Sequence, residues 1–192
     1  MSHVGRRVLT TLTLAVLTMA SASTTALAQT VANGPYFAVP AWDQTLPSST
    51  RFIVLSNMGG NAVLDRETGL VWERSPSTAA RVWFNAHDRC NDLTLGNRKG
   101  WRVPTVQELA SLLDGDPANV ASIPRLPPGH PFVDVVDNIY WSATTSTGNT
   151  NVHWAVYFGY VNVGGDHRVL GAFTLTNLYI WCVRGGASNH DQ

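Results

Sequence analysis

Few residues in this chain of 192 could do covalent or metal chemistry. Two cysteines, Cys90 and Cys182, and six histidines are present. A thiol nucleophile needs a base beside it, and His87, His130, His153 and His167 show no H-x-x-x-H or Cys/His spacing that would place a zinc ion. Asp114-Gly115-Asp116 with Asn119 supplies oxygen ligands. It lacks the alternating acids and the bidentate Glu of a calcium-binding loop, so it reads as a helix-terminating turn. There is no G-x-S-x-G, no phosphate loop and no paired acidic motif beyond that turn. The remaining chemistry is recognition. Asn149, Asn151, Asp166, His167, Arg168 and Asn177, with Tyr157, Tyr160 and Tyr179 on adjacent strands, can bond hydroxyls or peptide groups and offer apolar area with a polar tip.

The elements that must position these residues follow from pattern. Arg6 and Arg7, the apolar run Val8–Met19 and Ala26-Leu27-Ala28 form a secretory leader over 1–28 with cleavage expected after Ala28. The run is too short to span a membrane, and no Cys follows it to carry a lipid. Loss of Arg6 and Arg7 would leave 11 basic against 13 acidic residues, which does not favour nucleic acid or a strongly polyanionic ligand. An exported chain with two cysteines points to a Cys90–Cys182 bridge closing a loop of about 90 residues, worth roughly 4–5 kcal/mol in the chain-entropy account. The alternative, a free catalytic cysteine, needs a base that sequence does not locate.

Residues 29–50, rich in Pro, Ser, Thr and Ala, read as an N-terminal arm. Arg51–Leu55 is a short strand, and Ala62–Asp65 with Leu70–Glu73 form a hairpin whose Gly69 takes positive φ. Ser75-Pro76-Ser77-Thr78 stops one element and starts another. Trp83, Ala86, Cys90 and Leu93 then share one helix face, from which His87, Asp88 and Arg89 fall away. Thr105 and Glu108 have the spacing of a capping box, so a second helix begins at Val106, buries Leu109, Leu112 and Leu113, and ends near Asp114. Trp101 belongs to the core. Residues 114–139, with five prolines, are a long ordered loop. Ile139–Ala143, His153–Phe158, Tyr160–Val163 and Leu178–Val183 read as strands, joined by polar linkers at Thr144–Val152 and Gly164–Asn177. The sum is an α+β fold: two helices packed on a mostly antiparallel sheet with long loops.

Gly100-Trp101-Arg102-Val103-Pro104-Thr105-Val106-Gln107-Glu108-Leu109 resembles the signature of the Lcl C-terminal domain family, a bacterial domain found in collagen-like adhesins. Val63–Glu73, Trp83–Cys90, Tyr140–Thr145 and Trp181–Arg184 agree with that resemblance in order, over about residues 50–185. The resemblance implies a C-type-lectin-like fold over 51–187, followed by a tail at 188–192. It also raises calcium, the usual cofactor of sugar-binding lectins of that fold; their Glu-Pro-Asn and Trp-Asn-Asp motifs are absent, so no cofactor is expected, with calcium kept as an alternative that no motif supports.

The expectation is therefore an exported, periplasmic or extracellular, non-enzymatic recognition or adhesion module. Its partner is a glycan, ahead of a protein, at the cell envelope or surface, with no membrane span, no nucleic acid and room for oligomers. Asn149, Asn151, Tyr160, Asp166, His167, Arg168 and Asn177 are its candidate ligand contacts. The alternative is a periplasmic enzyme or enzyme subunit acting on envelope material, using a carboxylate pair assembled only in three dimensions.

Overall fold

The computed structural model describes residues 46–116, 123–159 and 168–186; the leader, all of the arm before Leu46, Tyr160–Val163 and the tail lie outside them. Its first element is a single helical turn, α1 (Ser48–Arg51), which runs into the expected strand, β1 (Phe52–Val54). The Arg51 guanidinium is buried there. It bonds both oxygens of Asp65 at 2.9 and 2.8 Å and the Ser111 carbonyl at 2.8 Å, so the first residue after the expected arm is locked to the body. The expected hairpin forms as β2 (Ala62–Asp65) and β3 (Val71–Glu73), with Gly69 at φ 70 in the turn, a value only glycine reaches without a Cβ clash.

After Pro76 the structure departs from expectation. Ser77-Thr78-Ala79-Ala80-Arg81 is a strand, β4 (Ser77–Arg81), although nothing in its small, mostly exposed residues announces one. Pairing of Ser77 with Ile180 and of Arg81 with Leu178 creates it, a tertiary contact overriding weak local preference. The first long helix, α2 (Trp83–Asp92), buries Ala86 and Cys90 as its periodicity requires. Arg89 does not fall away from that face. It folds back to pair with Glu73 and points at Cys182 Sγ, because a planar guanidinium on a long stem can reach a buried carboxylate from the helix flank.

Next come β5 (Trp101–Arg102) and α3 (Val106–Ala110). Thr105 Oγ1 accepts from the Glu108 N–H at 3.2 Å, and Glu108 Oε2 accepts from the Thr105 N–H at 2.8 Å. The capping box is therefore complete, and Arg102 clamps its carboxylate at 2.6 and 2.7 Å. Regular helix ends at Ala110, earlier than expected, yet Leu109 and Leu112 are still fully buried by the turn that follows.

The C-terminal strands are β6 (Ile139–Ser146), β7 (Asn149–Tyr157), β8 (Val169–Phe173), β9 (Leu178–Ile180) and β10 (Val183–Arg184). Two expectations are corrected here. Most of the Thr144–Val152 linker is strand, with only Thr147 and Gly148 left as the turn, and the Gly164–Asn177 linker contains β8. Ladder bonding to β7 holds those polar and glycine-containing stretches extended. The expected strand Leu178–Val183 is also divided, because the chain crosses from one sheet to another at Trp181–Cys182.

The described residues thus form two five-stranded sheets rather than one: β1-β2-β3-β10-β5 and β4-β9-β6-β7-β8. Among the described residues these strands pair antiparallel except β6 with β9, which run parallel at Tyr140 opposite Tyr179. The class is α+β. Trp72, Trp101, Trp141 and Trp181 are all buried, and Trp101 is a core residue as expected.

The crossover is bonded from several sides. Cys182 is bridged to Cys90, with Cα atoms 5.5 Å apart. The Glu73 N–H donates to the Cys182 carbonyl at 3.0 Å, Trp181 Nε1 donates to the Glu73 carbonyl at 2.8 Å, and Arg89 grips the Glu73 carboxylate with both terminal nitrogens. Glu73→Ala would leave the Arg89 guanidinium facing the disulfide without its counter-charge. Denaturant unfolding should show a loss of about 3 kcal/mol, against less than about 1 kcal/mol for the exposed control Asp88→Ala.

Candidate functional site

His153 on β7 is buried, with the Trp83 indole stacked on it at 3.8 Å between ring centroids and 7° between planes. Its two ring nitrogens are both engaged. Nδ1 lies 3.2 Å from Thr145 Oγ1, and Nε2 lies 3.1 Å from Thr174 Oγ1. Thr174 Oγ1 spends its one proton on the Asn151 carbonyl at 2.9 Å, so it accepts from Nε2–H, and Nδ1 is left to accept from Thr145. This assigns the neutral Nε2–H tautomer. A continuous chain of bonds then runs from Thr145 through His153 and Thr174 to Asn151, and burial moves the His153 pKa below its ordinary value.

Thr174 is the junction of three segments. Its N–H also donates to the Asn151 carbonyl at 2.9 Å, and its own carbonyl accepts from the Trp83 N–H at 3.1 Å, which fixes the start of α2 against the end of β8. Within one residue of that junction stand Phe84, 59% exposed, Phe173, 65% exposed, and Leu175, 78% exposed. All three are large apolar side chains left in solvent next to this bonded corner.

The sequence-derived candidates divide. Asn149, Asn151 and Asn177 are exposed at this same corner. Asn149 Oδ1 accepts from the Asn151 N–H at 2.9 Å, which leaves its amide nitrogen pointing elsewhere, and Asn177 follows the turn closed by the Thr176 N–H on the Phe173 carbonyl at 2.8 Å. Arg168 is not brought to them. Its carbonyl accepts from the Tyr157 N–H and its guanidinium donates to the Gly159 carbonyl at 2.8 Å, at the far end of the β7–β8 ladder. Six residues of strand separate the two ends, about 20 Å. Tyr179 is half-buried and packs its ring against the core, 5.7 Å from Tyr140. Tyr160, Asp166 and His167 lie outside the described residues.

Sequence reasoning missed the apolar members. Phe84 was legible as a large apolar residue off the Trp83–Ala86–Cys90 face of its helix, and Leu175 as one inside a polar linker. The Asp114-Gly115-Asp116 turn is bonded to itself and to Arg125. Asp114 Oδ1 accepts from the Asp116 N–H, and the buried Arg125 guanidinium takes the carbonyls of Asp114 and Asp116 at 3.1 and 3.0 Å. A fixed positive charge on those carbonyls works against a cation there. Among the described residues no three His, Cys, Asp or Glu side chains gather as a metal site, and both thiols are consumed in the disulfide. No described helix is long and apolar enough to cross a membrane.

The family described as the Lcl C-terminal domain matches residues 61–184. No curated protein matches the chain.

His153 generates a pH dependence. Its folded pKa is depressed and its unfolded value is near 6.5, so below that pH the unfolded chain binds more protons than the folded one. His130, half-buried and likewise lowered by burial, acts with the same sign. The thermal midpoint should stay flat above about pH 7 and fall between pH 7 and pH 5, and His153→Gln should show a shallower fall in the same scans.

Proposed function

The chain belongs to the Lcl C-terminal domain family, and from that premise we propose that it is an exported recognition module binding carbohydrate at the Thr174 corner. The observation that carries the reading is the pairing of exposed apolar groups, Phe84 and Leu175, with the exposed amides of Asn149, Asn151 and Asn177. A pyranose ring offers an apolar C–H face and a rim of hydroxyls that donate and accept. An aromatic ring covers the first, and a carboxamide, which also donates and accepts, matches the second.

The corner suits a small ligand. Its backbone is tied by Thr174, Asn151 and Trp83, so little ordering entropy is lost when a sugar binds. A protein partner of ordinary affinity covers about 800 Å² per side with a continuous apolar centre, whereas here amides interrupt the apolar groups. The lectin-like scaffold that the family resemblance implies fits this reading, with β6–β8 and the start of α2 as the ligand-bearing end. Export follows from the leader. Both cysteines are joined to each other, so the enzymatic alternative has no free thiol to use as a nucleophile.

The test is a glycan array probed with the purified chain, followed by calorimetry with a retained glycan. Phe84→Ala and Asn151→Ala should each weaken binding by about 1 kcal/mol or more with thermal midpoints near the parent's, and Arg168→Ala should bind as the parent does. Retention of no glycan, or parental binding by both corner variants, would overturn the proposal.

A further inference from the structure

The strand β8 ends its sheet, and among the described residues nothing pairs with its outer side. Its register against β7 places Val152 opposite Phe173, Trp154 opposite Gly171 and Val156 opposite Val169. The Tyr157 N–H donates to the Arg168 carbonyl and the Thr174 N–H to the Asn151 carbonyl, so the even-numbered residues of β8 face β7. By antiparallel alternation, the N–H and C=O groups of Val169, Gly171 and Phe173 point to the free edge. Their side chains share one face with Trp154, which is 37% exposed, as are 40% of Val169 and 65% of Phe173.

Among the described residues this edge has none of the usual protection. Val169-Leu170-Gly171-Ala172-Phe173 contains no charge and no proline, and it carries no bulge in its ladder with β7. The opposite edge of the same sheet, β4, follows Pro76, ends in Arg81 and shifts register along its length. The two contrast. One edge is blocked, and the other is left able to accept a strand.

We propose that β8 pairs with β8 of a second copy of this chain, antiparallel about a two-fold axis at Gly171. In that register Gly171 opposes Gly171, and Val169 of one copy opposes Phe173 of the other. The three outward-facing residues on each side then exchange six backbone hydrogen bonds. The pattern is self-complementary in side chains as well: the larger Phe173 meets the smaller Val169 at both ends. Arg168 falls opposite Thr174 of the other copy, so no like charges meet. Gly171 adds no side chain at the axis. An added Cβ there would already stand 3.0 Å from Val152 Cγ1, and the indole of Trp154 from each copy covers the paired glycines. The dimer is a continuous ten-stranded sheet; Phe173 belongs both to its seam and to the Thr174 corner, while Phe84 and Asn151 lie on other elements, so glycan binding by their variants is read separately from dimer formation.

Sedimentation velocity of the purified chain between about 1 and 200 µM tests it. The sedimentation coefficient should rise to that of a dimer with concentration. Val169→Lys and Phe173→Lys should each remain monomeric across the range with parental near-ultraviolet dichroism, while Val133→Lys, exposed on another segment, should dimerise like the parent. A monomeric parent at the highest concentration would overturn the proposal, as would a dimer that survives both lysine variants.

Discussion

The carboxylate and backbone of Glu73 hold the point where the chain passes from one sheet to the other. Glu73 ends β3 in the first sheet, and its carboxylate sits almost out of water against the Arg89 guanidinium from α2. Its main-chain groups bond Cys182 and the Trp181 indole, the two residues of the crossover. A buried carboxylate without that guanidinium would be strongly unfavourable, and the guanidinium without the carboxylate would face a disulfide. Helix, first sheet and crossover are therefore interdependent, and the disulfide from Cys90 adds a covalent restraint at the same place.

The second sheet inherits its position from this node. Leu178–Ile180 lies immediately before the crossover and pairs with β4 on one side and β6 on the other. From β6 the ladder continues through β7 to β8, where Thr174 meets the start of α2. The helix that carries Arg89 at one end thus carries Trp83 and Phe84 at the other. Its ten residues span about 15 Å, so the Glu73 node and the Thr174 corner are two ends of one rigid rod.

What was legible in the sequence is what short-range chemistry dictates. Thr105 and Glu108 announce their helix start because the two bonds of a capping box depend only on spacing. Gly69 marks its turn because positive φ excludes a Cβ. Cys90 on an apolar helix face and Cys182 beside Ile180 announce a buried bridge. What was not legible depends on partners far along the chain. Ser77–Arg81 becomes a strand only because Ile180 and Leu178 pair with it, and Val169–Phe173 only because β7 does. The same limit applied to the candidate site. Asn149, Asn151 and Asn177 were picked by residue type, and pairing of β7 with β8 set Asn151 beside Thr174 while carrying Arg168 to the other end. The Thr174–His153 relay that fixes the corner depends on residues 145, 153 and 174 meeting, which no local pattern records.

Native-state hydrogen exchange at Val71–Glu73, Leu178–Ile180 and Val183–Arg184 tests the central role of Glu73 most directly. Bonded amides in all three segments should open with one shared free energy in the parent, and Glu73→Gln should lower that value by the same amount in both sheets. If Leu178–Ile180 kept its parental protection while Val71–Glu73 lost its own, the two sheets would be held together by something other than this node.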